Sequence, residues 1–216
     1  MSESKPERRE LSVLQILVTV IAIVLLIGLL TPWQSRISPK ANQSATLANA
    51  RQIATALNLY AEEQNGRYPD ADLVGASSSN EVFRRLIEED IFTDERVFGA
   101  KVSKFYPDNN IGAHPDYAQA LEAGENHWAM TAGVTKDSGE LTPMVFENPA
   151  VANWPPLWNA NAEAKPRRGR TWPGAKIIVG FHDSSVQSIQ LDPKSGPAVG
   201  PERGADGKDI FTRASP

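Results

Sequence analysis

The side chains with the most chemical potential in this sequence are its three histidines. His114, His127 and His182 lie far apart in the chain, and none has the H-E-x-x-H or paired spacing of a metal site. His182 and Asp183 are adjacent and could form a metal pair or a proton relay. They lie at a predicted hairpin turn, however, where such side chains commonly serve the turn itself. We interpret them as turn residues.

One acidic loop has part of the spacing of a calcium site. Asp70, Asp72, Gly75 and Glu81 match positions one, three, six and twelve of an EF-hand loop. Position five is Val74, and the proline before the loop does not fit the usual entering helix. The pattern therefore favours an ordinary solvated loop over calcium ligation.

Other catalytic patterns are missing from the sequence. It contains no cysteine, which removes disulfides, thiolate metal sites and cysteine nucleophiles. There is no G-x-S-x-G motif, and residues 204–209 lack the spacing and the Ser/Thr of a phosphate loop. The acidic run Glu88, Glu89 and Asp90 is typical of a solvated helix end. We predict no enzyme, no cofactor, no metal site and no small-molecule substrate.

A basic segment with a neighbouring aromatic residue raises the question of an anionic partner. Its members are Lys165, Arg167, Arg168, Arg170 and Trp172. Such a segment could hold DNA, anionic lipid or an acidic protein. The chain as a whole is mildly acidic, with 22 Lys and Arg against 26 Asp and Glu, and prolines and glycine interrupt the segment. A solvated loop is favoured, a protein partner stays open, and no nucleic acid is expected.

The elements that would position these groups begin with an uncharged apolar stretch at residues 11–30. A helix of this length is about as long as a bilayer's hydrocarbon core is thick, ~30 Å. It could be a cleaved signal peptide, a plain signal anchor or the front half of a longer helix. No A-x-A-like step follows it, which argues against cleavage there. We expect a transmembrane helix with its N-terminus in the cytoplasm.

The next stretch, residues 44–65, has the spacing of an amphipathic helix. Its apolar positions are Leu47, Ala50, Ala54, Leu57 and Ala61. Asn65 and Gly66 predict its end. Asn80 is expected to cap a second helix at residues 81–90.

Short apolar runs predict strands at residues 127–133, 143–147, 175–181 and 185–191, the last two forming a hairpin. A long loop at residues 153–173 separates the second of these strands from the third. It contains Trp154, Trp158 and Trp172, which we expect to close the edge of the core; a contact surface is the alternative. Residues 192–216 are rich in Pro, Gly and charge, and are expected to be mobile.

These residues together resemble the type IV pilins and the type II secretion pseudopilins, particularly the large planctomycete and verrucomicrobial set. Residues 11–17 take the place of the family's opening apolar run, and Pro32 that of its helix-kinking proline. Residues 49–69 are similar to the family's second segment, which ends in Tyr-Pro, and the hairpin extends the resemblance to the C-terminal half. The chain departs from the family where Glu10 replaces the glycine of the cleavage site and Gln15 replaces a characteristic glutamate.

The resemblance implies an α+β fold of pilin type. A long N-terminal helix, transmembrane in its first half and amphipathic in its second, would pack on a small antiparallel β-sheet. The expected division is a cytoplasmic tail at 1–10, a transmembrane helix at 11–30, an extracytoplasmic domain at 31–191 and a flexible tail at 192–216. The expected location is the bacterial inner membrane, with one span and a periplasmic domain.

The implied function is structural: a membrane-anchored pseudopilin-like assembly protein of a type II secretion or type IV pilus-like system. The implied partners are the lipid bilayer and other pseudopilins or secretion-platform proteins. Leu11, Gln15, Ile16, Val20 and Pro32 would form the assembly and membrane helix. The alternative is a stand-alone envelope binding module that has kept the scaffold but has no filament role.

The departures at Glu10 and Gln15 generate the first prediction. In the family, the missing glutamate is thought to neutralise the free N-terminal amine created by cleavage, so an uncleaved chain does not need it. We expect the intact mass of the protein, purified from its native host, to include the residues before Leu11. A chain that begins at Leu11 would contradict this prediction.

Overall fold

A computed structural model describes residues 13–73, 75 and 78–214; the side chains of residues 13, 14 and 27–38 lie outside this description. The chain divides into two compact units, Met1–Ala41 and Asn42–Pro216. The first helix, α1, has the bounds Val13–Glu63. Its end is set by Asn65 and Gly66, which both have positive φ, and the Gly66 N–H donates to the Ala61 carbonyl at 2.7 Å. This is the predicted helix stop, and it is confirmed.

In the second unit, the residues of α1 from Asn42 onward present one buried face to the core. Ile53, Leu57 and Tyr60 on this face are almost completely buried, as the amphipathic spacing predicted. Gly180 in the sheet lies beneath the helix, where a Cβ atom would be 3.5 Å from the carbonyl oxygen of Ala50. A Cβ atom at position 180 would thus be in ordinary van der Waals contact with the helix.

Two short helices follow α1. The first, α2, is Pro69–Asp72, and the second, α3, is Ser79–Glu88. The predicted cap at Asn80 is wrong, because the Ser78 hydroxyl accepts the Glu81 N–H at 3.4 Å. The Asn80 amide instead donates to the carbonyls of Leu121 and Glu122, at 2.8 and 2.9 Å. It ties α3 to a distant loop.

The sheet contains five antiparallel strands in the order β1-β2-β3-β4-β5. They are β1 Trp128–Met130, β2 Pro143–Glu147, β3 Lys176–Phe181, β4 Val186–Asp192 and β5 Gly200–Pro201. The four predicted strands are confirmed, with small shifts of their ends. The β3–β4 hairpin pairs Gly180 with Val186 and Ile177 with Ile189.

Both faces of the central strands are buried. Ile178 packs in the same cluster as the α1 residues, whereas its neighbours Ile177 and Val179 pack in a second cluster with Trp158 and Phe211. Successive residues of a strand point to opposite faces, so the sheet has a separate core on each side. The second core depends on residues that follow the hairpin.

Those residues fall within the segment expected to be a mobile tail. They contain β5 and a short helix, α4, Ile210–Arg213. The ring of Phe211 is fully buried and contacts the rings of Phe146, Trp154 and Trp158, with centroids 5.1–5.5 Å apart. The local composition predicted disorder, but the buried ring of Phe211 packs the segment against the sheet.

The expected pilin-like fold class, with its long helix that is transmembrane in the first half, is wrong as stated. Among the residues that the structure describes, no helix is long and apolar enough to cross a membrane. The expected single-pass location in the inner membrane is therefore not supported. The structure shows an α+β unit with an antiparallel five-stranded sheet.

A close backbone approach gives the second prediction. Gly169 has φ +70°, and a Cβ there would lie 2.5 Å from the backbone nitrogen of Ala150. Gly133 has a nearly equal φ, +75°, with no atom within 4 Å of such a Cβ. We expect Gly133→Ala to lower the free energy of unfolding by about 1–2 kcal/mol, because alanine is strained in the left-handed conformation. Gly169→Ala should lower it by at least about 1 kcal/mol more, because the backbone must also move. Chemical denaturation of both variants measures the difference, and equal losses would contradict the prediction.

Candidate functional site

The described part of the predicted assembly helix is apolar on every side. Its large apolar side chains between residues 16 and 26 are all 51–62% exposed. They are Ile16, Leu17, Val18, Val20, Ile21, Ile23, Val24, Leu25 and Leu26. A helix that is apolar all round is normally covered by other elements, and apolar patches of this kind mark contact surfaces. We call these nine side chains the apolar helix surface.

The structure places the five predicted assembly residues as follows. Ile16 and Val20 belong to the apolar helix surface. Gln15 is exposed one residue before it, and its carbonyl accepts the hydroxyl of Thr19 at 2.8 Å. Leu11 lies outside the described residues, as does the side chain of Pro32.

In the second unit, the densest polar arrangement surrounds the buried carboxylate of Glu147, at the end of β2. Its Oε1 atom accepts from His127 Nε2 at 2.7 Å and from Trp172 Nε1 at 2.9 Å. Its Oε2 atom accepts the backbone N–H of Ile178 at 2.8 Å. Glu147 is 1% exposed and His127 is 2% exposed. A buried carboxylate needs donors of this kind, since removal from water without them is costly.

Arg170 completes the surroundings of Glu147. Its Nη1 atom is 3.8 Å from Glu147 Oε1, and its guanidinium lies 4.4 Å from the ring centroid of Trp172. Burial lowers the pKa of Arg170, and the charge of Glu147 opposes this shift. The positive charge is thus compensated by a carboxylate and an aromatic face.

The network extends outward from the imidazole of His127. The Nδ1 atom of His127 lies 2.9 Å from the hydroxyl oxygen of Ser103, a half-buried residue in the turn that follows Ala100. Ser103, His127 and Glu147 therefore form a continuous hydrogen-bonded series from the surface to the core. We call these three residues the Ser–His–Glu series.

A group of three carboxylates lies near the Ser–His–Glu series in sequence but is separate from it. Oxygen atoms of Glu95, Asp108 and Glu125 lie within 4.8 Å of one another, a geometry that could hold a divalent cation. Glu95 is fully buried and accepts the N–H groups of Asn109 and Leu121, at 2.6 and 2.9 Å. Burial raises the pKa of Glu95, and the nearby Glu125 and Asp108 charges raise it further, against the lowering effect of the two N–H donors.

The acidic loop with partial EF-hand spacing is used differently in the structure. Asp72 accepts the hydroxyl of Tyr60 at 2.9 Å and pairs with Arg67 at 3.2 Å. Asp70 accepts the backbone N–H of Gly133 at 2.8 Å. Both carboxylates therefore serve packing contacts of the folded unit.

The other predicted turn and surface residues behave largely as expected. Asp183 accepts the N–H of Ser185 at 2.8 Å, so its role in the turn is confirmed. The backbone of His182 bonds to Thr142 and Asn58, outside the turn, and its ring lies against Tyr68. The side chains of Glu88 and Glu89 pair with Arg85 at the end of α3, at 3.1 and 3.0 Å.

The basic segment is only partly the exposed loop that we predicted. Lys165 and Arg167 are exposed. Arg168 donates to the Pro149 carbonyl at 3.0 Å, and Arg170 and Trp172 are buried beside Glu147. The segment therefore has one cation fewer at its surface than its sequence indicates, because Arg170 is buried in the core.

Two of the three loop tryptophans are buried in the core and do not form a contact surface. Trp158 and Trp172 are buried, and both donate from the indole N–H to Glu147, Trp158 to its carbonyl at 3.0 Å and Trp172 to its carboxylate. Trp154 is 38% exposed. The prediction that these residues close the core is confirmed for the first two.

Comparison of the chain with protein-family models, with curated proteins and with solved structures found no match. The resemblance to pilins and pseudopilins therefore stays a prediction from the residues quoted above.

Sequence reasoning missed the Ser–His–Glu series and the carboxylate group. Ser103 and His127 are 24 positions apart and His127 and Glu147 are 20 apart, so no motif spacing connects them. The usable signal was Glu147 itself, a carboxylate at the end of the apolar strand Pro143–Glu147. A charge in such a position indicates a buried partner.

The raised pKa of Glu95 gives the third prediction. The protonated Glu95 contributes stability that is present below its unfolded pKa, roughly 4.3, and is lost as the pH rises through the raised folded value. At neutral pH the folded state therefore carries the repulsion among the three carboxylates. Glu125 also accepts the backbone N–H groups of Asp108 and Glu122, and Glu125→Gln removes one acceptor oxygen at either pH. We expect the change in the free energy of unfolding caused by Glu125→Gln to be more favourable at neutral pH than near pH 3, by up to about 1 kcal/mol, because repulsion is relieved only at neutral pH.

Urea denaturation at the two pH values measures this effect. Glu122→Gln, an exposed substitution of the same type outside the group, is the matched control and should change stability little at either pH. An equal change for Glu125→Gln at both pH values would contradict the prediction.

Proposed function

We propose that this protein is a non-enzymatic assembly protein of pseudopilin type, acting in a type II secretion or type IV pilus-like system. The observation that supports this proposal is the apolar helix surface. It is paired in one chain with a folded α+β unit that has its own two cores. A protein of this organisation associates through the helix and presents the folded unit to its surroundings.

The occupant of the apolar helix surface, on this proposal, is a set of apolar helices of the same kind, including those of further copies of this chain. Because the exposed side chains point in every direction around the helix, one neighbouring helix covers only part of them. A bundle of several helices is needed. Aliphatic and small side chains allow the close van der Waals packing on which such bundles depend.

The free energy gained by burying the apolar helix surface is large enough to drive association. Each half-exposed aliphatic side chain that leaves water contributes roughly 1 kcal/mol. The nine side chains together are then comparable with the cost of lost translational and rotational freedom, about 4–15 kcal/mol. The free energy gained by covering only one side of the helix is smaller than most of that range of costs. This again favours an assembly of several copies over a pair.

The folded unit supports a structural role in this proposal. One of the basic residues that could have held an anionic partner, Arg170, is buried beside Glu147, and the exposed Arg168 donates from its Nε to the Pro149 carbonyl. With the mildly acidic composition, this supports protein partners over nucleic acid.

The fourth prediction tests the apolar helix surface. We expect the full chain to sediment as oligomers, and the double substitution Ile16→Glu with Val20→Glu to shift it toward monomer by at least about tenfold in the association constant. The physical reason is that two charges would be buried in an apolar contact without partners. Analytical ultracentrifugation over a concentration series measures the constant.

Leu141→Glu is the matched control. Leu141 is 65% exposed, apolar and part of the folded unit, so the same change in charge and hydrophobicity occurs away from the helix. It should leave association unchanged. A wild-type chain that is monomeric throughout the series would contradict the proposal and favour the alternative, a stand-alone binding module.

A further inference from the structure

For a neutral His127, the hydrogen-bond partners of the Ser–His–Glu series assign the positions of its protons. The groups that surround the Glu147 carboxylate are all donors: the imidazole of His127, the indole of Trp172 and the backbone N–H of Ile178. A carboxylate that only accepts requires a proton on His127 Nε2. In the neutral imidazole, Nδ1 then carries the lone pair and faces Ser103 Oγ at 2.9 Å.

The hydroxyl of Ser103 is held for donation to that lone pair. The backbone N–H of Phe105 donates to Ser103 Oγ at 3.0 Å, which occupies one lone pair of the oxygen and leaves its proton for His127. His127 and Glu147 are almost fully buried, whereas Ser103 is half-buried. The series thus reaches solvent through Ser103, the member that could act as a nucleophile.

From this geometry we propose that Ser103 is a nucleophilic site that accepts an acyl group from an activated carboxylic ester. His127 is the base, and Glu147 is a positioning residue that holds the imidazole tautomer. The arrangement has the roles of a Ser-His-Asp/Glu triad, with the two ring nitrogens exchanged. This activity goes beyond the assembly role and does not depend on it.

The step balances with the groups present. Ser103 Oγ attacks the carbonyl carbon and forms an Oγ–C bond while its proton passes to His127 Nδ1. The bond between that carbon and the leaving oxygen breaks, and the leaving alcohol takes the proton from Nδ1. Glu147 stabilises the transient imidazolium through its 2.7 Å contact with Nε2. The product is an ester of Ser103 and a free alcohol.

A cavity is lined by the neighbouring Phe105, although Ser103, His127 and Glu147 do not themselves line it. Phe105, whose N–H is bonded to Ser103 Oγ, lines this cavity of about 410 Å³ together with Asn126, Trp128 and Asn148. The cavity walls combine aromatic surface with side-chain amides, which suits a small acyl group with a polar end.

The test compares two serines within one molecule. Ser138 is also half-buried, and its Oγ accepts a backbone N–H, that of Thr135, at the same 3.0 Å. It therefore matches Ser103 in exposure and in this hydrogen bond. The full chain is treated with p-nitrophenyl acetate, and peptide mass spectrometry gives the acetylation rate at each serine. General-base assistance contributes typically 10²–10⁴-fold, so we expect Ser103 to react at least about 10²-fold faster than Ser138.

Two variants complete the experiment. His127→Gln should lower the rate at Ser103 to that of Ser138 while leaving Ser138 unchanged, and Ser103→Ala should abolish the fast acetylation. Equal rates at the two serines of the wild-type chain would overturn the proposal and leave the series as a purely structural contact. This wild-type comparison decides the matter even if His127→Gln does not fold.

Discussion

The interaction on which the folded unit most depends is the burial of the Glu147 carboxylate. A carboxylate removed from water costs several kcal/mol unless donors replace its hydration. Here the donors come from separate parts of the chain: His127 before β1, Trp172 from the loop and the backbone of Ile178 in β3. The hydrogen bonds that compensate the Glu147 charge therefore hold β2, β3 and the loop between them in fixed positions.

The rest of the folded unit packs in two cores, one on each face of the sheet that contains Glu147. On one face, the α1 residues from Asn42 onward pack against Ile178 and Val145; on the other, Trp158 and Phe211 pack against Phe146. The C-terminal residues therefore belong to the core, although their composition is that of a loop. The indole of Trp158 also donates to the Glu147 carbonyl, so one residue is bonded to tryptophans through both its backbone and its side chain.

The chemistry of the molecule falls into two separate surfaces, one in each compact unit. The apolar helix surface has no polar group among its nine side chains and is suited to association with other apolar helices. The Ser–His–Glu series combines a solvent-reachable hydroxyl with a desolvated base and carboxylate, and is suited to acyl transfer. The carboxylates of Glu95, Asp108 and Glu125 form a separate acidic group, in which burial and then the neighbouring charges raise the pKa of Glu95.

By itself, the sequence determined the elements whose signal is local. The period of the amphipathic helix, its stop at Asn65 and Gly66, and the β3–β4 hairpin were predicted because neighbouring residues specify backbone conformation and face. The tertiary structure decided the rest: the cap at Ser78, the burial of Arg170 and Phe211, and the meeting of Ser103, His127 and Glu147. These depend on contacts between residues distant in the chain, where the free energy of burial and of charge compensation overrides local composition. The expected transmembrane half of the fold was wrong, because no helix among the residues that the structure describes is long and apolar enough to cross a membrane.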